Sequence, residues 1–333
     1  MQRLPRSSTR SFQRSDAAVL SALNETTRRA VAPYRVPARR LRLLRSSRYL
    51  FIVPAIAYLA VLLFYPLGYT GYLSVFDVNA ANFLNGTSQF VGLDNYAIFI
   101  SSPAFVASLS ITIVFTVGSL IFQHTIGFAF AVFFNRGFPL SGFLRAVMIV
   151  VWVLPAVVSA SLWRWMFAGS FGLLNAFLGL VGIQTSQAWL ADPSTALGAV
   201  IVANIWIGIP FHMLLLYAGL QTIPTGLYEA ASIDGASKWK QFTNITLPLM
   251  RPVILTTLLL GFVHTFKVFD VIYIMTGGGP ANATDVLSIN VYKQSFEYFQ
   301  LGQGAAAANV LLIILLVLSI VYLWLRRKEE SAL

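Results

Sequence analysis

The chain has 333 residues, of which 57% are hydrophobic and only 11% charged, with a formal charge of +11 and no cysteine. Soluble domains carry roughly 45–50% apolar and about 25% charged residues, so this composition excludes an ordinary soluble fold and points to a membrane protein. The missing thiols exclude disulfides, thiolate metal sites and cysteine nucleophiles.

With no water in the hydrocarbon layer, each segment must satisfy its own backbone, so apolar runs of about 20 residues are spanning helices. A barrel, with short alternating strands, does not fit runs this continuous. Residues 1–45 form a basic cytoplasmic tail, expected to be disordered over its first three dozen positions, where Ser, Thr and Arg recur without periodicity. The apolar stretch that follows begins too far in, and is too long, for a cleavable signal peptide. Six spans are predicted within a permease domain at 46–327, over 49–69, 107–134, 144–167, 196–220, 253–276 and 305–325. A short C-terminal tail, 328–333, closes the chain. The predicted fold class is an all-α membrane protein of six transmembrane helices with a polar helix-turn-helix between spans four and five.

Orientation follows from the basic residues. Twelve arginines precede Tyr49, and Arg136, Arg145, Lys238, Lys240, Arg251, Arg326, Arg327 and Lys328 fall on the same side of the predicted topology, 20 of the 23 Lys and Arg. The opposite loops hold only Lys293 among clear loop positions. The positive-inside rule puts both termini in the cytoplasm. An arginine-rich tail beside a first span suits anionic lipid headgroups, and no nucleic-acid partner is expected.

Catalytic patterns are missing. His124, His212 and His264 are far apart in sequence and show no metal-ligand spacing, and no phosphate-binding glycine loop occurs. "TGGGP", residues 276–280, reads as a flexible exit from span five. The 12 acidic residues are scattered singly apart from Glu329 and Glu330, which leaves no visible cluster for a membrane transferase.

One polar stretch interrupts the apolar pattern: "EAASIDGASKWKQFTNITLP", 229–248. Pro224 suits a helix start, Gly235 a left-handed helix end and Ser237 the cap of a second helix, which Pro248 and Pro252 are expected to stop before span five. On composition alone, with Trp239, Phe242 and two lysines, this hairpin could dock a protein or rest on lipid headgroups. The stretch resembles the E-A-A-x(3)-G motif of permease subunits of ATP-binding-cassette importers, matched at Glu229, Ala230, Ala231, Asp234, Gly235 and Ala236. "FVGLDNY" at 90–96, "GLQTIP" at 219–224 and "VFDVIYIMTGGGP" at 268–280 are similar to segments of the carbohydrate-uptake branch, and the likeness covers about 45–327.

The resemblance implies that 225–247 is a coupling loop entering a groove on an ATPase subunit. It implies a second permease, two ATP-hydrolysing subunits, an extracytoplasmic solute-binding protein and a carbohydrate substrate, in a bacterial or archaeal cell membrane. No cofactor is expected on this chain, since ATP and magnesium would be bound by the partner subunits, and the chain itself is not an enzyme. Sugars are held by aromatic faces and planar polar groups. Asn204, Trp206, His212 and Tyr217 in span four, and His264, Lys267 and Asp270 in span five, are therefore the candidate substrate path, with Lys267 and Asp270 as possible mutual partners on one helix face. Arg164, between Trp163 and Trp165, reads as an interfacial anchor. An ion-coupled secondary transporter is the alternative, but no inverted pair of glycine- or proline-broken spans is visible.

Overall fold

A computed structural model describes the backbone of residues 38–183 and 186–330 and the side chains of 52–183 and 186–324. Residues 1–37 and 331–333, which hold most of the basic tail and the extreme C-terminus, lie outside the described residues. The chain divides into two units, 1–66 and 67–333. Among the described residues the architecture is helical, with one two-stranded antiparallel ribbon in which Phe76 pairs with Phe90 and Asp77 with Gln89. Among the described residues, five helices are long and apolar enough to cross a membrane, and a bent pair makes a sixth if it counts as one span.

The first helix, α1 (Ala38–Ser74), begins ahead of the predicted edge at 46 and contains Pro54 and Pro66. Past the ribbon and two short helices, α2 (Ala80–Phe83) and α3 (Asp94–Ser101), comes α4 (Pro103–Phe134). Its start uses a signal present in the sequence but not exploited above. Ser102 Oγ accepts the Phe105 N–H at 3.1 Å while Pro103 takes the first helical position. The fourth span, α8 (Pro193–Leu220), repeats the device with Asp192 accepting the Ser194 N–H at 2.9 Å ahead of Pro193. The Asp192 carboxyl is held below the ordinary carboxylate range by the Ser194 hydroxyl and N–H and then by Gln187.

Between these two lies the largest departure from prediction. Span three is not one rod: α5 (Ser141–Val153) and α6 (Ala156–Met166) meet at 95°. Pro155 lacks an N–H and forces its predecessor out of the helical region, and Leu154 is found extended at φ −58°, ψ 137°. A short helix, α7 (Leu173–Leu180), follows.

The polar stretch forms α9 (Thr225–Ile233), and span five then starts far earlier than 253. It runs unbroken as α10 (Lys238–Phe266), so Pro248 and Pro252 do not stop the second helix of the hairpin. A wide π turn over Phe242–Thr246 precedes them, with the Leu247 N–H reaching back to the Phe242 carbonyl, and absorbs the first proline. At its other end span five breaks at 267–269 and resumes as α11 (Asp270–Met275). Beyond α12 (Leu287–Tyr292) and a π turn over Lys293–Glu297, α13 (Leu301–Glu330) is the last span.

The core lies between α4 and α8. The buried stripe of α4 is Ser108, Thr112, Phe115, Thr116, Ser119, Gln123, Gly127, Ala131 and Phe134, mostly small and polar. Such residues let backbones approach closely where lipid supplies no hydrophobic drive between helices. At Gly127 an added Cβ would lie 2.7 Å from the His212 Cβ and 3.0 Å from the Met213 nitrogen, so only hydrogen fits. Gly208 and Gly261 are filled in the same sense by Gln123 and by the His212 ring.

The loop expected to be a flexible exit is instead tied down. Thr276 and Thr284 share a 2.6 Å hydroxyl contact, Thr284 Oγ1 donates to the Gly279 carbonyl at 2.7 Å, and Gly278 packs against a Lys293–Asp285 ion pair of 3.1 Å. Arg164 donates to the Ile274 carbonyl at 3.3 Å, capping the end of α11 as well as sitting between its two tryptophans.

Candidate functional site

Two regions gather the predicted residues. The first is the hairpin formed by α9 and the start of α10. Asp234 ends α9, and Gly235 takes φ 75°. The Ala236 N–H returns to the Ala231 carbonyl at 2.8 Å and the Gly235 N–H to Ser232 at 3.2 Å, the paired bonds of a Schellman ending. Ser237 then caps α10, accepting the Lys240 N–H at 3.3 Å. Gln241, 4% exposed, ties the two arms: its Nε2 donates to Ser232 Oγ at 2.9 Å and to the Ala236 carbonyl at 3.1 Å. Tyr228 and Thr246 join hydroxyls at 2.9 Å across the base.

Gln241 is a residue the motif reading missed, although a single amide between two small-residue arms is the natural donor for a C-terminal carbonyl left over by the turn. The clamp leaves the outer face free. Glu229, Ala230, Asp234 and Gly235 are exposed, Ala231 and Ala236 half-buried, and Ile233 is 87% exposed. Neither Glu229 nor Asp234 forms an ion pair among the described residues.

The second region is a half-open cavity of about 270 Å³ where span five breaks. Its lining includes Asn204, His212, His264, Lys267 and Asp270, five of the seven predicted path residues. The remaining two are elsewhere. Trp206 packs edge-on to Trp163 at 5.9 Å, and Tyr217 lies under the Arg145 guanidinium, 4.4 Å from its ring centre. Alternating exposure along a long buried helix sends residues only a few positions apart to different neighbours, and spacing alone did not separate them.

Within the cavity, Lys267 and Asp270 do not share a helix face. Lys267 closes α10, Asp270 opens α11, and no ion pair joins them. Both side chains are exposed, as is His264. The break is stabilised from another element: Ser288 Oγ donates to the Val268 carbonyl at 2.6 Å, and just before it Thr265 Oγ1 donates to the Gln123 side-chain Oε1 at 3.5 Å. Gln123 also donates to the Asn204 backbone carbonyl at 2.8 Å, and the buried Asn204 side-chain Nδ2 has no hydrogen-bond partner. His212, 1% exposed, meets the His124 ring edge-on at 5.5 Å, so two histidines distant in sequence are neighbours in space. Aromatic walls come from residues not singled out in the sequence: Trp152 and Phe211, 5.9 Å apart, and Phe269.

A helical membrane bundle with a clamped polar hairpin at one end and a cavity at a broken span has the form of a membrane permease. The family model described as "Binding-protein-dependent transport system inner membrane component" matches residues 123–330, and the chain belongs to that family. It is the membrane-spanning permease component of an ATP-binding-cassette sugar importer. The chain is 37% identical over 279 residues to the trehalose/maltose transport system permease protein MalF of Thermococcus litoralis, covering 83% of this chain and 92% of that one. It is 32% identical over 286 residues to the diacetylchitobiose uptake system permease protein DasB of Streptomyces coelicolor, covering 85% and 87%. Its fold is similar to that of a chain in the crystal structure of a bacterial ABC transporter involved in the import of the acidic polysaccharide alginate, with a TM-score of 0.73, 23% identity and coverage of 86% and 99%.

Proposed function

We propose that the chain is a membrane-spanning subunit of a carbohydrate importer, forming half of the translocation path for a neutral di- or oligosaccharide or a related polyol. The observation that carries this reading is the cavity at the broken fifth span. It offers an unpaired ammonium, Lys267, and an unpaired carboxylate, Asp270, beside the rings of Trp152, Phe211 and Phe269. A charge of each sign, neither neutralised by the other, donates to and accepts from vicinal hydroxyls without favouring a charged ligand. Relatives at 32–37% identity are named for trehalose/maltose and diacetylchitobiose, which is consistent in substrate class.

The hairpin 225–247 is the coupling element. It lies on the cytoplasmic side with both termini, and its clamped arms present Glu229, Asp234 and the small residues to an ATPase subunit. Two such ATPase subunits, which bind the ATP and magnesium, a second permease and an extracytoplasmic binding protein complete the assembly. Closure of the ATPase pair moves the hairpin as a rigid body and rocks the bundle between its two open states.

The test is a charge reversal. Glu229→Lys is expected to insert and accumulate normally, to lose the ATPase subunits on purification and to bring sugar uptake to background. Normal association and uptake in that variant would remove the coupling role, because a hairpin resting on anionic headgroups would tolerate the added lysine.

A further inference from the structure

The cavity is small for its proposed task. About 270 Å³ lies below the roughly 300–1,000 Å³ of ordinary small-molecule sites, so the cavity alone does not house an oligosaccharide. Its wall does not end abruptly, however. Phe269, part of the lining, is the first of four connected rings that lead away from the cavity. Phe269 stacks on Tyr273 at 5.0 Å and 19°, and lies 5.1 Å from Tyr292. Tyr292 in turn lies 4.8 Å from Tyr273 and 5.2 Å from Phe296.

Phe269 and Tyr292 are half-buried, while Tyr273 at 38% and Phe296 at 62% are exposed. Phe269 lies in the break, Tyr273 on α11, Tyr292 on α12 and Phe296 in the following π turn, so the rings come from several short stretches and not from one face of a spanning helix. It is also not purely apolar. The Tyr273 hydroxyl donates to the Tyr292 hydroxyl at 3.2 Å, which leaves the Tyr292 proton free to donate outward, and the Glu297 carboxylate lies near Tyr292. Flat apolar faces edged with hydroxyl and carboxylate groups are the chemistry that holds pyranose rings, whose C–H faces stack while their equatorial hydroxyls bond at the rim.

From the continuity of this row with the cavity, we propose a second glycan subsite on Phe269, Tyr273, Tyr292 and Phe296. It holds the trailing sugar units of an oligosaccharide whose leading unit occupies the cavity. The inference rests on the carbohydrate reading above. It places a chain-length selectivity element outside the cavity, on a cluster of three mutually packed rings from which Phe296 extends.

The experiment uses the complete transporter, with its second permease, ATPase subunits and binding protein, in proteoliposomes. The probes are radiolabelled maltose, maltotriose, N,N′-diacetylchitobiose and its trisaccharide homologue. Phe296→Leu and Tyr292→Leu keep apolar bulk but remove the ring. Each is expected to raise the apparent KM for trisaccharide uptake by about three- to tenfold, the range that one aromatic contact supplies, and to shift the disaccharide less. Phe296→Trp should restore it. If the wild type imports none of the four probes, the carbohydrate reading falls and this subsite with it. If the wild type imports a probe and the leucine variants match it for both chain lengths, the subsite is overturned while the carbohydrate reading stands. Loss of the second permease from Phe296→Leu on gel filtration would likewise overturn it, by showing that the row is a subunit contact.

Discussion

The hairpin and the cavity are built in opposite ways. Every bond that shapes the hairpin joins residues within about two dozen positions: Gly235 to Ser232, Ala236 to Ala231, Gln241 to Ser232, Tyr228 to Thr246. The cavity draws on Gln123, Trp152, Asn204, His264 and Asp270, and its break is held by Ser288. A locally closed structure keeps its shape while its outer face is handed to a partner, which suits an element that must move as a unit. A structure closed only by distant contacts changes shape when the helices shift, which suits a site that must open alternately to two sides.

The largest expected effect tests whether the hairpin is as self-contained as its bonds imply. Gly235→Val forces a β-branched side chain into the left-handed region, costing about 1–2 kcal/mol locally. Uptake should be lost while insertion is retained. An added Cβ at Gly235 meets nothing within 4 Å in this chain, so the penalty is conformational. Gly235→Asn, which tolerates that conformation, should therefore keep most uptake, measured in the same vesicles. Equal loss in both variants would place the requirement in the partner's close approach rather than in the turn.

Next comes the helix crossing behind the cavity. Gly127→Ala sets a methyl against the His212 Cβ and the backbone of residues 209 and 213, atoms that cannot rotate away. A loss of about 1–3 kcal/mol is expected from such overpacking, read as a lowered thermal midpoint in detergent, with the hairpin still binding its ATPase subunits. Loss of ATPase binding in step with the midpoint would mean that the two regions are one cooperative unit.

The smallest effect concerns the cavity charges. Lys267→Met and Asp270→Asn should each change uptake by about tenfold without dissociating the complex, roughly the worth of one charged hydrogen bond. Because no ion pair joins them, the double variant should show no recovery over either single variant. Recovery in the double variant would reveal a structural pair and remove both from the substrate path.

Much of this protein was determined by its sequence alone. Hydropathy located the spans because lipid imposes one rule on every spanning backbone, and the hairpin was legible because caps and a left-handed glycine act over three to five residues. The proline bend at Leu154–Pro155 and the Ser-Pro and Asp-Pro helix starts were legible in principle, since their causes lie in adjacent residues. The tertiary structure alone decided the rest. No glycine or proline marks the break at 267–269; there the Ser288 hydroxyl satisfies the Val268 carbonyl, a group that a continuous helix would have satisfied itself. The same long-range packing separated Lys267 from Asp270, withdrew Trp206 and Tyr217 from the cavity and brought Phe269 to its wall. Contacts between residues on different helices leave no periodic trace in either segment, so the site's composition was predictable in kind and its membership was not.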